Sequence, residues 1–565
     1  MELAVELRRL ALQNAFEHGG KTREQTVLGK ILGNRPELRE KVSEVAGDIA
    51  AIVNDVNAMS SEEQKKEIDS KFPDLLAPRE KPAGRDGLPE LEGAIHGKVV
   101  TRFPPEPNGY PHIGHAKAAI INSEYARMYG GRFILRMDDT NPEAERMEYH
   151  AAIKVGLEWL GIDIDQIKST SDDMETFYKK GTELATSGAA YVCTCKRDDI
   201  GRNRRERIAC KCSRADAEKN LKNWEKMMAK FKPGEAVLRF RGDMKADNAV
   251  MRDPVLFRII EGKHYTLGEK YRVWPSYDMA VAVEDSIDGI THAFRSKEFE
   301  MRRELIDAIL DALNMRKPRQ GFFSRLEFKG MPTSKRIIRP LIEEGKVSWY
   351  DDPRLPTLEA LKRRGIRPEA VRKFIMSLGL TKADTLAPFD ALESFNRKIV
   401  DPESRRLFMV SHPRKIAVTG LPASSVEIPN HPAADMGSRT IQVDGRFYIP
   451  GDDASSLVVG SKIRLLGIGD VAITGAGAEL EAEYAGDAGA VAKAQWVAQE
   501  TAHRIKMIIP GALFQGDRFD ENSLGELDVY TEPEYLRLDD GEEIQFVRFG
   551  YCRKDSQSQA IFTHK

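Results

Sequence analysis

An α/β nucleotide-binding fold interrupted by an inserted module, preceded by helices and followed by an all-β region, is predicted from three observations. Strand-like and helical runs alternate from His96 to about Asp163, which is the βαβ rhythm of a doubly wound sheet. A Pro/Gly loop between the first strand and the first helix of that stretch delivers His112 and His115. Past about residue 400 the rhythm changes to short β-branched runs separated by Gly, Pro and Asp, the pattern of an all-β module of barrels. At 565 residues the chain exceeds what one hydrophobic core serves, so several domains are expected. A net charge of −2, 41% hydrophobic content and no apolar run approaching 18 residues predict a soluble globular protein with no overall pull towards nucleic acid. Met-Glu-Leu-Ala-Val-Glu at the start lacks the basic and apolar regions of a signal peptide, so a cytoplasmic location is expected.

Residues 1–80 read as amphipathic helices, with Leu3, Leu7, Leu10 and Leu12, then Val27 to Leu32, then Val42, Val45, Ile49, Ile52 and Val53 at helical spacing. Their role is open between RNA contact, a protein partner and plain stability. Arg79 to Pro89 is rich in Gly, Pro and charge and reads as a linker, taken as residues 81–95. Val99-Val-Thr-Arg and Phe133-Ile-Leu-Arg-Met are the strands of the first half-fold, and Ala116 to Met128 and Pro142 to Leu160 its helices. In the loop between them, His112 and His115 flank Gly114 at a helix N-terminus, where free N–H groups and the helix dipole attract anions. Gly109 and Gly114 remove Cβ bulk, which suits a nucleotide polyphosphate. The plainer reading is a strand-loop-helix connection with two packed histidines.

Arg102-Phe-Pro-Pro-Glu-Pro-Asn-Gly-Tyr-Pro-His-Ile-Gly-His115 resembles the HIGH signature of class I aminoacyl-tRNA synthetases in the form used by the glutamyl and glutaminyl enzymes. The resemblance implies that Pro105, Glu106, Asn108, Gly109, His112, Gly114 and His115 bind ATP with Mg²⁺. It also implies that the two histidines stabilise the transition state as an amino-acid carboxylate attacks the α-phosphorus. Gly330-Met-Pro-Thr-Ser-Lys-Arg336 is similar to the second signature, KMSKS, through Ser334, Lys335 and Arg336, with Pro332 and Thr333 in place of Lys-Met. Lys335 is then expected to stabilise charge on the phosphates, with Arg336 assisting.

Leu135-Arg-Met-Asp-Asp-Thr-Asn-Pro142 and Trp274 to Arg295 continue the resemblance. They imply an amino-acid pocket made by Arg102 at the side-chain end, Asp138 on the α-ammonium, Tyr277, and Arg295 as the discriminating residue. Arginine's fork matches a carboxylate bidentately. Glutamate is therefore the expected substrate. A glutaminyl enzyme, or a relative that keeps RNA affinity without catalysis, are the alternatives, and a surface pair of Arg295 with Glu298 or Glu300 is the structural one.

Cys193-Thr-Cys195 and Cys210-Lys-Cys212 hold four of the five cysteines. Two such knuckles can supply a tetrathiolate site for structural Zn²⁺, or remain free thiols, whereas Cys552 reads as a packed core thiol. Around them Arg202, Arg204, Arg205, Arg207, Lys211, Arg214, Lys222 and Lys226 form a basic stretch, which by itself reads as a solvated face. In the resembled family an insert at this place grips the tRNA acceptor end, implying that role for Arg204, Arg205, Arg207 and Lys211. Trp224 and Phe231 read as core. Asp351 to Leu358, Arg363-Arg-Gly365, His431-Pro432 and Gln545 to Gly550 look like the archaeal and eukaryotic branch of the family, which places β-barrels on the anticodon. The expected fold is thus a Rossmann-type class I synthetase catalytic domain with a zinc-containing insert, an N-terminal helical extension and β-barrel anticodon-binding domains. Its halves are 96–190 and 256–345 around an insert at 191–255, followed by a helical connector at 346–400 and the barrels at 401–565. The implied partners are tRNA-Glu, with tRNA-Gln open, together with glutamate and ATP.

Overall fold

The computed structural model describes residues 3–17, 20–35, 42–72 and 87–565. The chain divides into two compact units, Met1–Asp86 and Gly87–Lys565. In the first, α1 (Leu3–Glu17), α2 (Glu24–Asn34), α3 (Val42–Ala58) and α4 (Ser61–Lys71) enclose a core of Leu7, Leu10, Val27, Ile31, Ile49, Val53 and Ile68. The apolar spacing that predicts α1 to α3 is the stripe they bury. A reciprocal Ser60–Glu63 capping box starts α4, and Arg8 ties it to α1 through Glu67 at 2.6 Å. Residues 81–86 of the expected linker lie outside the described residues.

In the second unit, β1 (Val100–Phe103), α5 (Ile113–Met128), β2 (Arg132–Met137), α6 (Met147–Trp159) and β3 (Gln166–Ser169) build a parallel sheet in the order β1-β2-β3. After α7 (Met174–Thr186), β4 (Ala190–Cys193) opens the insert, α8 (Arg197–Glu206) and α9 (Ala217–Ala229) follow, and β5 (Val237–Phe240), β6 (Val255–Ile259) and β7 (Val273–Pro275) complete a four-stranded antiparallel sheet. Residue 255, where the insert is expected to end, starts β6, which pairs with β5 on one side and with β7 on the other.

The nucleotide fold resumes with α10 (Tyr277–Ile287), β8 (His292–Ser296), α11 (Arg303–Ala312) and β9 (Arg319–Phe323), the two strands again parallel. Thr291 N donates to Val100 O at 2.9 Å, so the separate parallel pair β8-β9 starts beside β1, giving a spatial order β3-β2-β1-β8-β9 across two sheets. The order reverses direction between β1 and β8, and ligands of such sheets bind at the carboxyl ends of the strands at that switch point. Next come β10 (Leu326–Phe328), α12 (Lys335–Glu343), α13 (Leu358–Arg363), α14 (Pro368–Leu378), β11 (Thr385–Ala387) and α15 (Phe389–Val400).

Two seven-stranded, barrel-like sheets finish the chain. One takes strands from Arg414–Thr419 to Val497–Ala498. The other combines Arg405–Leu407 and Met409–Ser411 with strands from His503–Pro510 to Gln559–His564, so the first sheet is inserted into the second. Cys552 is fully buried in the latter's core, as expected. The hairpin after His503–Pro510 reaches back to the nucleotide fold. Phe514 N donates to Gly330 O at 3.0 Å, and Leu513 packs with Ile338, Leu341 and Val347 on and after α12. Among the described residues no helix is long and apolar enough to cross a membrane.

Candidate active site

A cavity of about 540 Å³ opens at the carboxyl ends of β1, β2, β8 and β9, where the strand order predicts a ligand, and its size is that of a small-molecule site. Its wall includes Pro105, Glu106, His112, Gly114, His115, Asp138, Tyr277, Arg295 and Ser334. Residues expected from four separate stretches of sequence therefore meet on one surface.

At the nucleotide end, His112 is the N-cap of α5 and His115 its third residue, arranged as a capping box. Gly114 N donates to His112 Nδ1 at 3.1 Å, and His112 N donates to His115 Nδ1 at 3.2 Å. Both Nδ1 atoms accept, so each neutral ring carries its proton on Nε2. Burial lowers both pKa values, that of His115 to about 4, and both rings are neutral at pH 7. A Cβ at Gly114 would meet the His112 ring at 2.9 Å and have to push it aside, whereas at Gly109 a Cβ would meet open space. The loop is fixed from behind, with Ile113 N bonded to Pro356 O and Leu358 N to Pro111 O, both at 2.9 Å. Lys335, exposed at the start of α12, reaches across to Asn108 O at 3.5 Å. Asn108, Gly109, Lys335 and Arg336 lie outside the cavity wall itself.

At the other end, Asp138 follows β2, and its buried Oδ1 has no hydrogen-bond partner. Burial raises its pKa to about 7, against the opposing charge of Arg136. Arg295, at the end of β8, is only 4% exposed. Its Nη2 donates to Asp285 at 2.6 Å and its Nη1 to Gln320 Oε1 at 2.9 Å, while Nε is buried without a partner. The surface pair with Glu298 or Glu300 is not formed. Glu298 meets Arg325, and Glu300 meets Lys382. Arg102 lies deeper than Arg295. Fully buried on β1, it gives Nε and Nη2 to Asp285 and Nη1 to Phe294 O, and stands behind the wall rather than on it.

Residues 98–402 match the family described as tRNA synthetases class I (E and Q), catalytic domain, and residues 404–485 match the anti-codon binding domain of the same synthetases. The chain belongs to this class I synthetase family. Proteins named Glutamate--tRNA ligase from the archaea Nitrosopumilus maritimus (strain SCM1) and Cenarchaeum symbiosum (strain A) are 72% and 61% identical to it, each over 100% of both chains. Another of that name from Pyrococcus furiosus is 37% identical, again over 100% of both.

In the insert of this synthetase, the sulfurs of Cys193, Cys195, Cys210 and Cys212 all lie within 4.8 Å of one another, with 3.8 Å for both Cys193–Cys210 and Cys195–Cys212. Four thiolates around one Zn²⁺ at ~2.3 Å require separations of ~3.8 Å, so the cluster fits the ion. Arg239 Nη1 approaches the Cys193 and Cys210 sulfurs at 3.8 and 3.7 Å, a cation suited to the charge of such a site. Trp224 is core, as expected, and its indole N–H donates to Thr182.

The four basic residues expected at the acceptor end divide. Arg205 and Lys211 are exposed, Arg204 donates to Ala249 O, and Arg207 bonds Lys245 O and Asp247. Two residues that hold Arg295 from behind the pocket wall escaped the sequence reading, Asp285 and Gln320. A signal existed for the first, since Glu284-Asp285 interrupts the buried apolar run Met279 to Val283. Nothing local marks Gln320.

Proposed function

We propose that the protein attaches glutamate to tRNA, by forming glutamyl-adenylate from ATP and passing the glutamyl group to a ribose hydroxyl of the 3′-terminal adenosine. The observation that carries this reading is the pairing of opposite groups at one end of the cavity. The partnerless Asp138 oxygen suits an α-ammonium, and a buried, clamped Arg295 suits a side-chain carboxylate. A glutamine amide would leave the arginine without an anionic partner, a loss of roughly 2–5 kcal/mol, or about 30- to several-thousand-fold. The full-length relatives that bear the name Glutamate--tRNA ligase support the same substrate.

At the nucleotide end, the Nε2–H groups of neutral His112 and His115 donate to phosphate oxygens beside the positive end of α5. Pro105, Glu106, Asn108, Gly109 and Gly114 shape the nucleotide's bed, and Ser334, Lys335 and Arg336 approach the departing pyrophosphate. Lys335 is the cation that strengthens as charge develops there. Mg²⁺, entering with the nucleotide, supplies further neutralisation of the phosphates. Tyr277 and the Pro104-Pro105 turn close the pocket against water around the attacking carboxylate. Zn²⁺ held by Cys193, Cys195, Cys210 and Cys212 stiffens the insert and takes no part in the reaction, since protein fills all four positions. Arg204, Arg205, Arg207 and Lys211 lie on that insert, where RNA phosphates are the fitting ligand. The N-terminal helices, a unit with its own core, are the part left for a protein partner.

The test is aminoacylation with radiolabelled glutamate or glutamine and separate tRNA-Glu and tRNA-Gln transcripts. Glutamate on tRNA-Glu is the expected result, and glutamate on both would make the enzyme non-discriminating. Glutamine on tRNA-Gln, or no charging at all, would overturn the reading.

A further inference from the structure

Beneath the amino-acid end of the cavity, Asp285 on α10 is fully buried and receives three arginines. Oδ1 accepts from Arg102 Nε at 2.9 Å and Arg136 Nη2 at 2.7 Å, and Oδ2 from Arg102 Nη2 at 3.2 Å and Arg295 Nη2 at 2.6 Å. Burial opposes ionisation of this carboxyl, but the three guanidinium charges outweigh it and hold the pKa well below the usual range. The partners come from β1, β2 and β8, so one carboxylate ties the helix to three strands of the sheet. Asp288 takes one edge of Arg136 at 2.7 Å, which leaves the positive surplus on Arg102 and Arg295.

Arg295 is the member of the cluster that reaches the cavity. It is held from a second side by Gln320 Oε1 on β9, and the Gln320 amide is itself oriented by donating to Asp307 at 3.1 Å. An arginine free in solution samples many rotamers, and holding one carries an entropy cost. Here that cost is met before substrate arrives.

We propose that Asp285, with Gln320 assisting, is the positioning residue that sets the aim of Arg295 and so gives the pocket its preference for a carboxylate over an amide. Asp285 touches no substrate. It fixes the guanidinium plane while leaving Nε and the remaining N–H donors for the ligand. By gathering three arginines around one carboxylate, it keeps a surplus of positive charge in a dry wall, where an anion is favoured and a neutral amide is not. The inference rests on the reading of glutamate as substrate with Arg295 at its side-chain end.

The experiment measures kcat/KM for glutamate and for glutamine, and KM for ATP, in aminoacylation of tRNA-Glu by the full chain. The proteins are the wild type, Arg295→Ala, Asp285→Asn, Gln320→Leu and the Asp285→Asn/Arg295→Ala double variant, each checked by its melting temperature. Asp285→Asn is expected to raise glutamate KM by roughly 10- to 100-fold, to shrink the glutamate preference by a similar factor, and to leave ATP KM unchanged. Gln320→Leu moves the same quantities the same way by a few-fold. In the Arg295→Ala background, Asp285→Asn adds no further loss of preference, because its effect passes through the missing side chain. A purely structural role would lower kcat and stability alike without touching the ratio. If Arg295→Ala loses the preference but folded Asp285→Asn and Gln320→Leu retain it, the inference is overturned alone. If Arg295→Ala retains it, the substrate reading falls as well. Should Asp285→Asn fail to fold, an unchanged ratio in Gln320→Leu overturns the positioning role by itself.

Discussion

Two groups of arginines carry the same charge in this protein and are built for opposite tasks. Arg102, Arg136 and Arg295 are buried, share Asp285, and are fixed in plane and direction. Arg202, Arg205 and Arg207 on the insert are exposed, and the two with carboxylate partners, Arg202 with Asp199 and Arg207 with Asp247, are 56% and 46% exposed themselves. Such surface pairs are worth little and are screened by salt. A buried, preorganised cation discriminates between ligands that differ by one charge, whereas an exposed one adds affinity for any polyanion. Within one chain, burial rather than residue type separates specificity from affinity.

The comparison can be broken first at Asp138, the carboxylate opposite Arg295. Asp138→Asn should lower glutamate kcat/KM by 100-fold or more while leaving KM for ATP within a few-fold, as read by aminoacylation kinetics. Its pKa is raised by burial, so its ionisation opposes folding. That cost is absent below the unfolded value near 4 and complete above about 7. Asp138→Asn is therefore predicted to raise the melting temperature most at pH 8, less at pH 5 and not at pH 3. In the wild type, glutamate kcat/KM should fall as pH drops below about 7, because a protonated carboxyl cannot hold the substrate ammonium.

Gly114→Ala sharpens the same contrast at the nucleotide end. The added Cβ at 2.9 Å displaces the His112 ring, and a loss of about 10- to 100-fold in kcat is expected with glutamate preference unchanged. Metal removal tests the insert. Chelation, or a Cys193→Ser/Cys210→Ser variant, should release one zinc per chain by elemental analysis and lower tRNA-dependent charging through local unfolding; metal-free wild-type protein of full stability would contradict the site. The smallest effect belongs to the exposed cations. Arg205→Gln and Lys211→Gln should each raise KM for tRNA by a few-fold at low salt, flatten the salt dependence by about one unit of slope, and leave amino-acid preference intact.

How much of this was legible in the sequence follows the same division. His112, Gly114 and His115 could be read because their geometry is local, set within one turn of a helix and its cap. The four cysteines could be read because two close pairs need only one loop to bring them together. The Asp285 cluster could not, since its partners stand at positions 102, 136 and 295 and meet only when α10 packs under the sheet. The same distance hid the pairing of Arg102, whose side chain turns to Asp285.

The measurement that tests the central claim most directly is competitive charging of tRNA-Glu with glutamate and glutamine together, for the wild type and Arg295→Ala side by side. A strong preference for glutamate in the wild type that collapses in the variant, with ATP KM unchanged, is the predicted result. An equal preference in both would mean that the buried arginine cluster does not select the amino acid.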